Sequence, residues 1–292
     1  MVTVAPESVC VVGASGPIGS AVACYLAALG WRVTGIGRDF GRLNRLPAGI
    51  ARHSADVRNA TAIGAALAGS AIVVSCIHPT YTPALLTAAA HAGSRRIVLL
   101  SSTRRFSAVP DKGTTATVVA EAAFRGGPLP GFLLHSTLIY GPGIASNLSR
   151  IAGLIDRHRI VPLPAFGRAC LQPVHIDDVV AALAAAVATP TDQREVLVLA
   201  GASAVTWRDL VRLIASARGE RAHILPLPAA LVTPLARIAI RHTRLPRDLL
   251  RAAQRMAEDQ SYDVAPLAVR LGVRPMDVPS GVMRTFSPQL QI

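Results

Sequence analysis

The sequence predicts a doubly wound α/β fold: a parallel sheet covered by helices on both faces, with a small mixed lobe toward the C-terminus. Three observations carry the prediction. The first half of the chain alternates short β-rich apolar runs with helical stretches, the βαβ rhythm of a parallel sheet. The strand candidates are continuously apolar, as strands buried on both faces are. Three glycines, Gly13, Gly16 and Gly19, fall where the first strand would turn into the first helix.

Taken in order, "SVCVVGA" reads as a strand, "IGSAVACYLAALG" as a helix ending on Gly30, and "WRVTGIG" as the second strand. "GIARHSAD" is the third, followed by the helical "TAIGAALAG", the fourth strand "AIVVSCI", the helical "TPALLTAAAHAG" and the fifth strand "RRIVLLSS". A helix, "TATVVAEAAF", then leads to "GFLLHSTLIY", read as one strand, and to the loop "GPG". Beyond it come a Pro-rich turn, an extended stretch and a helix that Asp177 or Asp178 can cap, then the apolar "VLVLAG" and a helix from about Thr206. With no internal repeat or low-complexity linker, the second lobe is interwoven: residues 1–140 plus a segment at about 170–190 form the main domain, and the remainder of 141–292 the lobe. The apolar, Pro-containing segment from His223 to His242 reads as a cap helix over the site, with docking to an anionic membrane surface as the alternative.

Composition limits the function classes. Among 292 residues, Lys+Arg number 30 against 17 Asp+Glu, a net charge of +13. That excess fits an anionic ligand, an anionic surface or plain solvated charge. The arginines are scattered and no basic stripe interleaves with aromatics, so a nucleic-acid partner is not expected. Cys10, Cys24, Cys76 and Cys170 show no CxxC spacing and lie in apolar runs, which points to reduced core thiols in a cytoplasmic protein and to no metal site. The uncharged stretch from Ser8 to Trp31 is not read as a membrane span, because Gly13, Gly16, Pro17 and Gly19 interrupt it. Glu7 ahead of it, with no basic leader, argues against a signal peptide.

The Gly-x-x-Gly-x-x-Gly spacing between a strand and a helix is a phosphate-binding arrangement. The first glycine permits a tight turn, the second lets backbone approach a pyrophosphate, and the third lets helix pack on strand. A dinucleotide cofactor follows. Ser15, Pro17 and Ile18 complete the loop, while Val57, Cys76, Ile77 and Ser101 lie at strand ends where cofactor contacts are expected. After the second strand, Arg38 suits the 2′-phosphate of NADP(H), which is favoured; the adjacent Asp39 leaves NAD(H) open. Asp56, closing the third strand, is placed for the adenine amino group, or alternatively caps the next helix.

Together GASGPIG, the Arg38 and Asp56 positions, "LLSST", "YGPG" and "QPVHIDDVV" make the chain resemble an extended or atypical short-chain dehydrogenase/reductase of the NAD-dependent epimerase/dehydratase group. The likeness runs from about Ser8 to Val187, and "EDQSYDVAPLAVRLGVRP" resembles the family's closing segment. The resemblance implies a Rossmann-type sheet, an oxidoreductase or epimerase acting on a nucleotide sugar or similar small carbonyl or hydroxyl compound, and Ser102 contacting the substrate oxygen. It further implies Tyr140, Asn147 and His175 at the substrate site, with Arg150, Arg157 and Arg168 facing a diphosphate or forming a charged rim.

One part of the pattern is missing. Lys112 is the sole lysine, and Ala108 stands four residues before it, so no Tyr-x-x-x-Lys pair exists anywhere in the chain. If Glu121 marks the family's helix glutamate, Gly113 falls in the tyrosine slot and Thr117 in the lysine slot. Phe106 replaces the tyrosine of "YG", and "HST" puts His135 and Ser136 where "RP" is usual. His78, Lys112, His135 and Tyr140 are the candidate replacements for acid/base work, each with an ordinary structural role as its alternative. A protein that binds NADP(H) without turnover, as a sensor or scaffold, is the competing function.

Overall fold

The computed structural model describes residues 7–228, 251 and 254–287. The main domain begins β1 (Ser8–Val12), α1 (Pro17–Ala28), β2 (Arg32–Gly37), the short α2 (Phe40–Leu43), β3 (Ala51–Ser54), α3 (Ala60–Leu67) and β4 (Ile72–Ser75). It continues α4 (Thr82–His91), β5 (Arg96–Ser102), α5 (Lys112–Arg125) and β6 (Gly131–Ser136). Then follow β7 (Ile139–Tyr140), α6 (Asn147–His158), β8 (Ile160–Pro164), β9 (Cys170–Leu171), β10 (Val174–His175), α7 (Ile176–Ala188), β11 (Arg194–Leu199), β12 (Val205–Thr206), α8 (Trp207–Ala217) and β13 (His223–Leu227). Helices α9 (Ala265–Leu271) and α10 (Val278–Phe286) complete the described elements.

The central sheet has seven strands in the order β11-β6-β5-β4-β1-β2-β3. Its pairings are all parallel. The order reverses between β1 and β4, the switch point at which open α/β sheets leave a crevice beyond the strand C-termini. Two apolar layers sandwich the sheet. On one face Val9, Val11, Val98 and Phe132 meet α1 and α7; on the other Cys10, Val12, Leu99 and Leu133 meet α3, α4 and Phe124 of α5. The alternation of neighbours along each strand explains why the strands are apolar at every position. A third cluster, including Tyr140, Ile155, Trp207 and Phe286, is the separate core of the smaller lobe.

Three features depart from the sequence expectations. "GFLLHSTLIY" is broken: β6 stays in the main sheet, while β7 leaves it to pair with β10. Thr137 holds the bend, its amide donating to Leu199 O at 3.0 Å and its Oγ1 to Gln172 O at 2.6 Å. The seventh strand comes from Arg194–Leu199, beyond the 170–190 segment, because the exposed edge of β6 is covered by β11. The cap of α7 is neither Asp177 nor Asp178 but His175, whose Nδ1 accepts the Asp177 amide at 3.2 Å. Of the segment His223–His242, residues 223–227 form β13 alongside β8, and its continuation from residue 229 lies outside the described residues.

Candidate functional site

The glycine turn is built for close approach. Gly13 has φ +96°, and its amide donates to Ile36 O at 2.8 Å, tying the turn to β2. A Cβ there would lie 3.0 Å from Ile77 Cγ2 and 3.1 Å from the Cys76 carbonyl carbon, so β4's end closes over the turn. Gly16 is the N-cap of α1, with Pro17 next and no side chain capping the first turn. A Cβ on Gly16 would meet only Gly13 O, at 3.3 Å, so the space above it is open. Uncapped amides at a helix start, with an opening that any side chain would fill, fit the diphosphate of a dinucleotide. Ser15 and Ile18 flank the opening, half-buried.

The strand ends carry the other expected contacts. Arg38 follows β2 exposed and makes no ion pair among the described residues. Asp39 is engaged instead: its Oδ1 accepts the Arg42 amide at 3.0 Å, capping α2, and its Oδ2 lies 3.2 Å from Arg42 Nε. Asp56 lies just past β3. Its carboxylate accepts the Arg58 amide at 2.9 Å and Arg58 Nη2 at 2.6 Å, and those bonds hold its pKa down at about 2. Val57 is core rather than surface. Cys76 lies at the end of β4, where burial pushes its thiol up to about 12. Cys10 is raised likewise by burial.

At the end of β5, Ser101 is buried and its Oγ has no hydrogen-bond partner among the described residues. Ser102 is half-buried, and its Oγ accepts the Arg104 amide at 3.3 Å, capping the turn Thr103–Phe106 and leaving its own proton free to be donated. His78 is exposed after β4; its Nδ1 accepts the Thr80 amide at 3.3 Å. Lys112 is exposed at the first position of α5, whose N-cap is Asp111.

The remaining candidates occupy the interior. His135 is fully buried. Its Nε2 lies 3.1 Å from Glu121 Oε2, and the Phe106 ring stands edge-on at 5.5 Å. Burial lowers its pKa, against the opposing pull of Glu121. Glu121 also accepts from Arg105 and Arg125; burial would raise its carboxyl, but Arg125 and His135 outweigh it and hold it low. Tyr140 is 1 % exposed, and its hydroxyl points at α10, where a Cβ on Gly281 would sit 2.1 Å from it. Burial raises that phenol, helped by the charges of Asp178 and Asp277. His175, 2 % exposed, caps α7 and stacks edge-on against Tyr140 at 5.3 Å, its pKa lowered by burial. Asn147 is half-buried at the start of α6 beside the N-cap Ser146, with Arg150 and Arg157 exposed on that helix. Arg168 lies over the Phe166 ring. A cleft of about 390 Å³ opens in this lobe between the Gly141–Gly143 turn, Gly153 and Phe286, with the Asp156–Arg218 ion pair on its wall; its lining includes no residue of the glycine turn or of β5.

Other groups at the end of β5 escaped the sequence reading. A Cβ on Gly113 would fall 2.4 Å from Arg104 Nη1, so the guanidinium occupies the space that residue leaves. Asp111 Oδ2 accepts from Arg255 Nη1 at 2.5 Å. Burial alone would raise Asp111, but the Thr114 amide and the charges of Arg255 and Arg104 outweigh it and hold the carboxyl low. From the C-terminal segment, Glu258 accepts from Ser107 Oγ and the amides of Ala108 and Val109, and the Tyr262 ring lies 5.9 Å from Phe106. These contacts span about 150 positions, and no local motif signals them.

Residues 13–123 match a family model described as NAD(P)H-binding. No curated protein matches the chain in sequence. Among solved structures, the chain is similar to a UDP-glucose 4-epimerase from Thermotoga maritima solved with UDP-glucose, at 17% identity and a TM-score of 0.74 over 96% of this chain and 97% of that one. A UDP-glucuronic acid 4-epimerase from Bacillus cereus, solved with UDP-glucuronic acid and NAD, gives 16%, 0.75, and 96% and 98%. An NAD-dependent NDP-hexosamine 5,6-dehydratase involved in tunicamycin biosynthesis gives 15%, 0.70, and 96% of each. In fold the chain stands with these epimerases and dehydratases, and its glycine turn lies in the matched NAD(P)H-binding region.

Proposed function

We propose that the protein is an NADP(H)-dependent oxidoreductase or epimerase-type enzyme acting on a nucleotide sugar or a similar small carbonyl or hydroxyl compound. The observation that carries the reading is the uncapped, open first turn of α1 at the switch point, with Ser102 two strands away at the end of β5. Its free amides and the positive end of the helix suit a diphosphate. The bound nicotinamide supplies or accepts hydride. Ser102, whose Oγ accepts the Arg104 amide, keeps its hydroxyl proton to donate to the substrate oxygen. Arg38 supports NADP(H), because the neighbouring Asp39 is spent on α2. Lys112 and His78, both exposed, are the candidates for proton transfer; His135 and Tyr140, enclosed in the interior, serve packing instead.

A non-catalytic, cofactor-binding sensor or scaffold is the second reading. It is favoured by Thr117, whose buried hydroxyl is committed to Thr114 O at 2.8 Å and cannot handle a substrate proton.

Calorimetric titration with NADPH and NADH, on the wild type and on Arg38→Ala, tests the cofactor. NADPH affinity that falls about tenfold or more in the variant, with NADH affinity little changed, supports the reading; no binding of either dinucleotide sinks it. NADPH absorbance with UDP-sugars then separates the two functions: turnover abolished by Ser102→Ala supports the enzyme, and tight binding without turnover supports the sensor.

A further inference from the structure

Arg104 leaves the turn after β5 and crosses to the first turn of α5, where its guanidinium rests on Gly113. It is exposed, and among the described residues it has no ion-pair partner. The adjacent Arg105 is different, paired with Glu121 at 2.9 Å. The nearest carboxylate is already used: Asp111 Oδ1 accepts the Thr114 amide at 2.8 Å and Oδ2 takes Arg255. Lys112 adds a second exposed cation beside it, and the start of α5 adds the positive end of the helix. Arg104 follows the C-terminal end of β5, the edge of the sheet beyond which ligands sit in this topology, and α5 packs against the Pro79–Tyr81 turn after β4. The arrangement is a corner with two exposed cations and one nearby carboxylate, Asp111, whose oxygens are already engaged by the Thr114 amide and Arg255.

We propose that Arg104 is a specificity-determining residue that receives a carboxylate at the reacting end of the substrate, making the substrate a nucleotide sugar of the uronic-acid kind. This rests on the nucleotide-sugar reading above. A guanidinium presents two parallel N–H donors that match the two oxygens of a carboxylate, and a neutral hydroxymethyl group offers nothing for the second donor. Gly113 is part of the device, because any side chain there would push the fork away.

The test is calorimetric binding of UDP-glucuronic acid and UDP-glucose to the full chain saturated with NADPH, the reduced form preventing oxidation of the sugar hydroxyl. Wild type, Arg104→Gln and Arg104→Lys are compared, with thermal unfolding of each as a folding control. The wild type is expected to bind UDP-glucuronic acid about tenfold or more tighter than UDP-glucose. Arg104→Gln is expected to lose that preference with UDP-glucose affinity unchanged, and Arg104→Lys to keep part of it. Equal affinities in the wild type, or a preference that survives in Arg104→Gln, overturn the assignment of Arg104 alone. Saturation with NADPH but binding of neither sugar nucleotide overturns the reading on which it rests.

Discussion

Gly19 lies so close beneath Gly13 that a Cβ on it would come within 2.2 Å of the Gly13 carbonyl oxygen. The obstacle is backbone, which cannot swing aside. Gly16, three residues earlier, is the opposite case: a Cβ there meets nothing nearer than 3.3 Å.

The two glycines therefore fail differently. Gly19→Ala should lower the unfolding free energy by about 1–3 kcal/mol, as overpacking does. Gly16→Ala, with its single tight contact at 3.3 Å to Gly13 O, should cost less stability than Gly19→Ala and weaken dinucleotide binding, because the methyl enters the space for the diphosphate. Urea unfolding read beside calorimetry separates the two. Equal destabilisation by both would show that the opening above Gly16 is not a ligand space.

Acid should act on the fold through His135. Burial first of all sets its pKa below the ordinary 6.5, and Glu121 only partly offsets this. The unfolded chain therefore binds the extra proton, so stability present above about pH 6.5 is lost as pH falls toward the lower folded value. His175 shifts in the same direction and shares the window. His135→Gln, which retains a donor for Glu121, should flatten the fall in urea midpoint between pH 7 and 5. A slope identical to wild type would place the acid sensitivity elsewhere.

Glu258 closes a long connection. Its Oε1 accepts from Ala108 N at 2.9 Å and Val109 N at 3.1 Å, and its Oε2 accepts from Ser107 Oγ at 2.7 Å. Glu258→Ala removes an acceptor shared by three donors, of which the Val109 amide keeps Ser107 Oγ, and should cost about 0.5–1.5 kcal/mol. Hydrogen exchange at the Ala108 and Val109 amides should rise sharply while that of β5 does not change. Unchanged protection at both amides would mean that the loop is held by other contacts.

How much of this could be read beforehand depends on where each instruction lies in the chain. The glycine turn was legible because strand, turn and helix are contiguous and each glycine has a local reason to be there. The parallel sheet was legible because strands buried on both faces are apolar without a break. The bend after Ser136 was not, since it is held by Leu199 and Gln172. Arg104 looked like one more scattered charge; only the turn that carries it to Gly113 distinguishes it from Arg105. His175 and Tyr140 carried polar side chains in recognisable motifs, but the helix α10 that covers Tyr140 lies far downstream.

The seventh strand of the sheet reaches back to β6 from residues 194–199, and Leu267 and Leu271 of α9 reach the same apolar layer still later. A nascent chain leaving the ribosome therefore completes β6 long before the strand that covers its edge is made. During that interval the nucleotide-type half presents an open, wholly buried-type strand to its surroundings, a site for wrong pairing. Residues 1–190 expressed alone should hold the molecule in that interval, with β6 unpaired along one edge.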